Sequence, residues 1–370
     1  MKVAVGLSGG VDSSVAALLL KEQGHEVVGI TMKLWREGVY KGGDRDACFG
    51  AHELEDIETA RRMAEGLGID YRVFDCFDGY NRNVIAYFRE TYLSGKTPNP
   101  CVRCNATLKF GLLPRLARAS GLDFDCFATG HYARIEKRGK RYAILRGADA
   151  SKDQSYFLCR LSQEQLAHTL FPLGGLTKKE IREIARTHGL VTADRPDSQD
   201  FYSGDKNELI GEPDRPGDIV DLHGRKLGTH NGFWHYTVGQ RKGLGIGGGT
   251  PYYVVDLNAC RNQVVVGFAE DAVKTSLSVL DMNYVALDPS ENDGTPIPCF
   301  VKVRSAGAPK GPAFLQGDCA TFPEGIAGVA PGQSAVFYDA DGAILCGGTI
   351  AGRADDDDYT SRLHFSDDDD

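Results

Sequence analysis

Two short stretches combine residue types that can do chemistry. The first is Ser8-Gly9-Gly10-Val11-Asp12-Ser13-Ser14, which follows the apolar run Lys2–Leu7 and opens a segment where Val11, Val15, Leu18 and Leu19 recur at helical spacing. Glycines let backbone N–H groups approach an anion closely, and a helix start adds partial positive charge. Ser8, Ser13 and Ser14 add side-chain donors, so the stretch reads as a phosphate cradle. It is not the kinase-type loop, because no Gly-Lys-Ser/Thr closes it. A Gly-Ser turn that only caps a helix is the plainer alternative, and the agreement of strand, spacing and helix speaks against it. The second stretch is Thr97-Pro98-Asn99-Pro100-Cys101-Val102-Arg103-Cys104-Asn105. Its prolines stiffen the approach to a helix expected to start near Ala106. Cys104 would then sit at a helix N-terminus, where the dipole lowers a thiol pKa and favours the nucleophilic thiolate, with Arg103 adding charge. A structural zinc half-site is the competing reading, but no second CxxC or His pair follows at zinc-finger spacing.

The elements that must position these stretches are legible as a pattern. Strand-like runs at 26–33, 71–74 and 124–129 alternate with helical spacing in Ile57, Ala60, Met63 and Leu67, in 83–92 and in 105–119. That alternation predicts an α/β domain with a parallel sheet over residues 1–205. Residues 206–273 are rich in glycine and short strands and form a central domain. Residues 274–354 are all-β in pattern, with Phe300–Arg304, Asp318–Phe322 and Ala335–Tyr338 separated by Gly and Pro turns, which suits a small antiparallel β-barrel. The glycine run 243–249 has no dinucleotide context, because a strand rather than a helix follows it; Gln240-Arg241-Lys242 before it suggests a basic loop for a nucleic-acid backbone.

The chain has 370 residues, 42% hydrophobic and 25% charged, an ordinary globular composition. Its apolar runs fall far short of the roughly 20 residues of a membrane helix. The N-terminal segment meets glycines and Asp12 too early for a secretory signal, so a cytoplasmic protein without membrane attachment is expected. The net charge of −9 argues at first against nucleic acid, but residues 355–370 hold eight aspartates and one arginine, leaving −2 on the rest. That end reads as an acidic disordered tail, and a near-neutral body can still carry a basic face. Of ten cysteines, Cys126 and Cys346 lie in apolar runs and read as core.

The seven-residue loop resembles the pyrophosphate-binding loop of the ATP pyrophosphatases, which cleave ATP between the α and β phosphates and adenylate a substrate oxygen. Six segments in order extend the resemblance: SGGVDSS (8–14), GKTPNPCVRCN (95–105), ATGHYAR (128–134), KDQSYFL (152–158), HYTVGQRKGLGIGG (235–248) and PGQSAVFY (331–338). Together they resemble the tRNA-specific 2-thiouridylases over residues 1 to about 350. The resemblance implies an adenine nucleotide α-hydrolase-like N-terminal domain and ATP-dependent 2-thiolation of a wobble uridine in the anticodon region of tRNA, with Mg2+ as counter-ion. It implies an ATP site of Gly6, Leu7, Ser8, Gly9, Gly10, Val11, Asp12, Ser13, Met32 and Gly130, with Asp12 orienting MgATP. Cys104 would be the nucleophile, with Asn99, Pro100 and Cys101 facing the target base. His131, Lys152, Asp153, Gln154, Arg304 and Gln333 would contact tRNA; taken alone, His131 reads as a satisfied core residue. A sulfur donor such as a cysteine desulfurase or a relay protein is implied as partner.

One position departs from the family. Where most members carry a second catalytic cysteine, this chain reads Asp197-Ser198-Gln199-Asp200-Phe201-Tyr202-Ser203, and no cysteine lies between Cys159 and Cys260. A phenol cannot carry persulfide sulfur. Cys48, expected in a loop after the second strand, is the remaining candidate near the CxxC. Three thiolates, Cys48, Cys101 and Cys104, fit a 4Fe–4S cluster with one open iron, as in some related tRNA thiolases; a persulfide relay through another cysteine is the alternative. The rival functions are an ATP pyrophosphatase acting on a small metabolite and a non-catalytic tRNA-binding relative.

Overall fold

Val3, Ala4 and Val5 are fully buried, as the middle of a central parallel strand requires. The structure, a computed structural model, describes residues 1–42, 47–197, 200–202, 204–247 and 249–352, so the acidic tail lies outside the described residues. Strand β1 (Lys2–Gly6) leads through helix α1 (Val11–Glu22) to β2 (Glu26–Lys33), a short β3 (Ala47–Phe49), helix α2 (Glu53–Leu67) and β4 (Asp70–Asp75). Next come β5 (Cys126–Ala128), the hairpin β6 (Ala133–Arg138) and β7 (Arg141–Arg146), β8 (Thr169–Leu170) and β9 (Asp200–Tyr202).

The main sheet has the order β4-β2-β1-β5-β8, and its pairs are parallel. The chain winds outward from β1 to one edge, then returns to β5 on the other side. That reversal leaves a crevice at the carboxyl ends of β1 and β5, where open α/β sheets bind ligands. Cys126 is only half-buried at the start of β5, whereas Cys346 is in the barrel core as expected.

Two long helices wall the crevice. One covers 77–93 and the other 100–119, and each contains a π-helical stretch, Asn81–Ile85 and Asn105–Leu112. The second helix starts at Pro100, not near Ala106. Asn99 accepts a hydrogen bond from Val102 N at 3.3 Å, and Pro100 takes the first helical position, where its missing N–H costs nothing.

A four-stranded sheet follows, ordered β11-β10-β13-β12 from Lys226–His230, Gly217–Val220, Gln263–Gly267 and Tyr253–Asn258. Its buried Ile219, Val254 and Val264, with Phe233 from the turn at 233–235, join one core with Phe49, Tyr80, Phe88 and Tyr202. The last described strands, β14 (Val273–Tyr284), β15 (Ile297–Lys302), β16 (Lys310–Gln316), β17 (Cys319–Ala327), β18 (Ser334–Tyr338) and β19 (Ile344–Ile350), close a barrel in the order β14-β17-β16-β15-β18-β19. The barrel docks on the proline-stiffened loop: Thr97 N donates to Pro331 O at 2.8 Å, and Gln333 Nε2 donates to Pro98 O at 2.6 Å. Among the described residues, no helix is long and apolar enough to cross a membrane.

Candidate active site

The phosphate loop is built by local geometry. Gly10 stands in extended conformation just before α1, and no side chain caps that helix, so its first N–H groups face the crevice. Ser13 Oγ holds the loop closed, accepting from Ser8 N at 3.2 Å and donating to Gly10 O at 3.2 Å. Gly9 has φ +73, and a Cβ there would meet Asp56 O at 2.6 Å. Gly130, after β5, is equally constrained: its Cβ would lie 2.7 Å from Asp12 C and 2.8 Å from Ser13 N. Only glycine lets the 129–131 turn approach the start of α1 this closely.

Three residues that the sequence patterns did not single out hold this loop. Arg195 donates to Gly9 O at 2.8 Å and pairs with Asp56. Tyr132 Oη donates to Asp12 Oδ1 at 2.6 Å, and Lys178 Nζ bridges Asp12 and Asp197 at 2.7 Å each. Lys152, at 2.8 Å, and Arg182, at 3.2 Å, also pair with Asp197. Burial works to raise the Asp197 pKa, but the lysines outweigh it and hold the carboxyl below its usual range. Burial and then Asp12 push the Tyr132 phenol far up, so it stays a donor. Tyr132 sits beside Gly130 and His131 in sequence and was within reach of the motif; nothing in the Lys178 segment marks it beyond a helix capped by Thr177.

A cavity of about 1210 Å³ runs from this loop to the cysteines. It exceeds the usual span of small-molecule pockets, roughly 300–1,000 Å³, and leaves room for a nucleotide and a splayed base together. Gly6, Leu7, Ser8, Gly10, Val11, Asp12, Ser13, Met32 and Gly130 all line it at one end, while Gly9 stands behind the loop. Asn99, Pro100, Cys101 and Cys104 line the other end, with Cys48 opposite.

Cys104 is not the depressed-pKa thiol expected. Because the helix starts four residues earlier, Cys104 lies beyond the first turn, where the dipole fades. Burial pushes its thiol up to about 12, Lys109 pulls it down in part, and Cys48 adds to the rise. Lys109 lines the same cavity and also acts on His131. Burial first, then Lys109, hold the His131 imidazole well below its usual pKa, so the ring is neutral; Thr129 Oγ1 is 2.6 Å from its Nδ1.

The other base-facing and tRNA-facing candidates divide. Lys152, Gln154 and Gln333 line the cavity, and Arg304 is exposed on the barrel beside Gly328. Gln154 Oε1 accepts from Tyr132 N at 3.0 Å. Asp153 has a side chain only 2% exposed, pairs with Arg146 at 3.2 Å and accepts from Gly147 N and Ser155 N. It shapes the turn that carries Lys152 and Gln154. Thr97 Oγ1, also on the cavity wall, is buried without a hydrogen-bond partner.

Cys48 lies on β3, not in a loop. β3 pairs in parallel with β9, Phe49 opposite Tyr202. Tyr202 is buried on the packed side, 5.7 Å from Phe49 between ring centroids; it donates to Glu208 and accepts from Gly42 N at 3.3 Å. A thiol at position 202 in this register would face the core rather than the cavity. Cys48, Cys101 and Cys104 share the cavity, but among the described residues no group of three His, Cys, Asp or Glu side chains stands close enough to hold a metal ion. The three thiols do not form a ligand set for a resident metal as placed.

Comparison with known proteins follows the same division of the chain. Residues 1–202 match the family described as tRNA methyl transferase HUP domain, 208–268 the tRNA methyl transferase PRC-barrel domain, and 274–350 the aminomethyltransferase beta-barrel domain. The tRNA-specific 2-thiouridylase MnmA of Endomicrobium trichonymphae is 46% identical over 361 residues, covering 95% of this chain and 99% of that one. The protein of the same name from Clostridium perfringens is 42% identical over 361 residues, covering 94% and 98%, and that of Geotalea uraniireducens is 44% identical over 362 residues, covering 94% of each.

Proposed function

The chain belongs to the tRNA-specific 2-thiouridylase family, and from that membership and its cavity we propose that it uses ATP to replace the C2 oxygen of a tRNA wobble uridine with sulfur, in the cytoplasm. The observation that carries the reading is the single cavity that joins the phosphate loop to the CxxC thiols. Activation at one end and sulfur delivery at the other need one shared space.

The loop N–H groups and Ser8 hold the phosphates of MgATP, and Asp12 orients its magnesium, which favours one or two carboxylates plus phosphate oxygens. The uridine C2 oxygen attacks the α-phosphorus, pyrophosphate leaves, and AMP becomes the leaving group at C2. A sulfur nucleophile at the thiol end attacks C2 and AMP departs. The anticodon base must be splayed out of its stack to reach this depth. Thr97 Oγ1 gives it a waiting partner: a buried unpaired hydroxyl costs about 1–3 kcal/mol, which a polar edge of the base removes. Asn99, Pro100 and Cys101 form the adjoining wall, and Lys152, Gln154, His131, Gln333 and Arg304 hold flanking tRNA, with Lys152 and Arg304 meeting phosphates. Asp153 acts through the turn it holds.

The test is pyrophosphate release from ATP with and without unmodified tRNA, followed by detection of 2-thiouridine when a persulfide donor is supplied. Release that depends on tRNA, with thiouridine formed, supports the reading. Release driven by a small metabolite and indifferent to tRNA overturns it in favour of a metabolite enzyme, and tRNA binding without any release marks a non-catalytic relative.

A further inference from the structure

Sulfur must reach an adenylated base from outside the protein, and the cavity offers three thiols that could receive it. They differ in access. Cys48 is exposed, while Cys101 and Cys104 are half-buried. Cys104 is also the thiol that burial holds protonated at neutral pH. A thiol that accepts sulfur from a macromolecular donor must be reachable and must ionise, because the attacking species is the thiolate.

Strand register explains why Cys48 is the one on the rim. Side chains alternate along a strand, so Phe49 and Tyr202 point together into the aromatic core. Cys48 and Phe201 occupy the opposite face, and both line the cavity. Cys48 Sγ donates to Phe201 O at 3.7 Å, which turns the sulfur along the wall. The phenol of Tyr80 also lines this cavity, and burial first pushes its pKa well up. The three sulfurs line one cavity, and Cys48 is the most exposed of them.

We propose that Cys48 is the thiol through which sulfur enters this site, accepting it from a protein persulfide and presenting it to the activated base. The proposal rests on the adenylation and thiolation reading above. In the loading step the Cys48 thiolate attacks the outer sulfur of the donor persulfide. A new S–S bond forms at Cys48, the donor's S–S bond breaks, and the donor leaves as a thiolate, with no net oxidation. The outer sulfur of Cys48 then attacks C2, and AMP leaves with its oxygen. Cys101, as thiolate, then attacks Cys48 Sγ and cuts the S–S bond to the base. That step releases thiouridine and joins the two cysteines as a disulfide, which an external dithiol reduces before the next turn.

The experiment uses the full chain, purified without oxygen, with glutathione persulfide as the probe. Peptide mass spectrometry should find one added sulfur at Cys48 in the absence of tRNA and ATP. Cys48→Ser and Cys48→Ala should keep tRNA-dependent pyrophosphate release and melting temperature, because the position is exposed, yet lose thiolation to the protein-free level. Absence of pyrophosphate release in the unaltered protein would instead count against the adenylation reading itself. Added sulfur on Cys101 or Cys104 but not on Cys48, or normal thiolation by both variants, overturns the proposal. So does protein-bound iron that is lost in each of the Cys48, Cys101 and Cys104 variants, since Cys48 would then be a cluster ligand.

Discussion

The two ends of the cavity are built in opposite ways. The phosphate end comes mostly from seven consecutive residues, already closed on themselves by Ser13 and braced by Arg195 and Lys178. The thiol end is assembled from β3, the 100–119 helix and a barrel loop, and it is left incomplete: Cys104 is held protonated and Thr97 Oγ1 has no partner. On the proposed function, ATP meets a finished site, whereas the base completes its own. Preorganised donors are worth most where charge builds up, and the phosphate end has them in place. At the sulfur end burial keeps Cys104 as the unreactive thiol.

The sharpest way to break this comparison is at the finished end. Ser8→Ala combined with Asp12→Ala should lower tRNA-dependent pyrophosphate release by about 10²–10³-fold or more. Binding of tRNA, measured by filter retention, should change little, because neither side chain reaches the thiol end. Full activity in the double variant would remove the ATP assignment.

Gly130→Ala should come next. Its Cβ would press on backbone atoms of Asp12 and Ser13 closer than 2.9 Å, so the start of α1 must move. Overpacking of this kind costs about 1–3 kcal/mol, and we expect the KM for ATP to rise about tenfold with a lower melting temperature. Unchanged ATP kinetics would show that the loop yields more than these close approaches imply.

Thr97→Val addresses the unfinished end. It removes a hydroxyl that the free protein leaves unpaired, so melting temperature should hold or rise. If the base supplies the missing partner, thiolation kcat/KM should fall about fivefold, the worth of a hydrogen bond of about 1 kcal/mol. Loss of stability without loss of activity would reverse this account.

The smallest effect concerns His131. Its folded pKa is depressed while its unfolded pKa is about 6.5, so the unfolded chain binds more protons as pH falls below that value. The neutral imidazole's contribution is intact above about pH 6.5 and declines as pH drops toward the folded pKa. His131→Asn should therefore show a smaller loss of melting temperature between pH 7.5 and 5 than the unaltered protein, by calorimetry. Parallel pH profiles would place the acid sensitivity elsewhere.

The phosphate loop was legible because its chemistry is contiguous. Glycines, serines and a strand-to-helix junction lie within seven residues, and the required backbone positions follow from that order. The helix of the cysteine loop starts six residues before the position its pattern predicts, since Pro100 reads as a breaker in sequence, whereas Asn99 caps the turn that Pro100 opens. That shift takes Cys104 out of the first turn, and burial then reverses its expected chemistry. Asp153 looked like a contact residue from its motif, yet its carboxylate is spent on Arg146 and two backbone N–H groups.

The sequence by itself determined the α/β beginning, the barrel at the end, the phosphate loop and the absence of cysteine at position 202. These are properties of residue type and short spacing. Only the tertiary structure decided which side chains share the cavity. Lys178 and Arg195 reach the loop from 166 and 186 residues away, and β3 meets β9 across about 150 residues, which turns Cys48 to the cavity and Tyr202 to the core. A thiol's pKa depends on burial and neighbouring charge, and both are set by packing between distant segments rather than by the residues next to it in the chain.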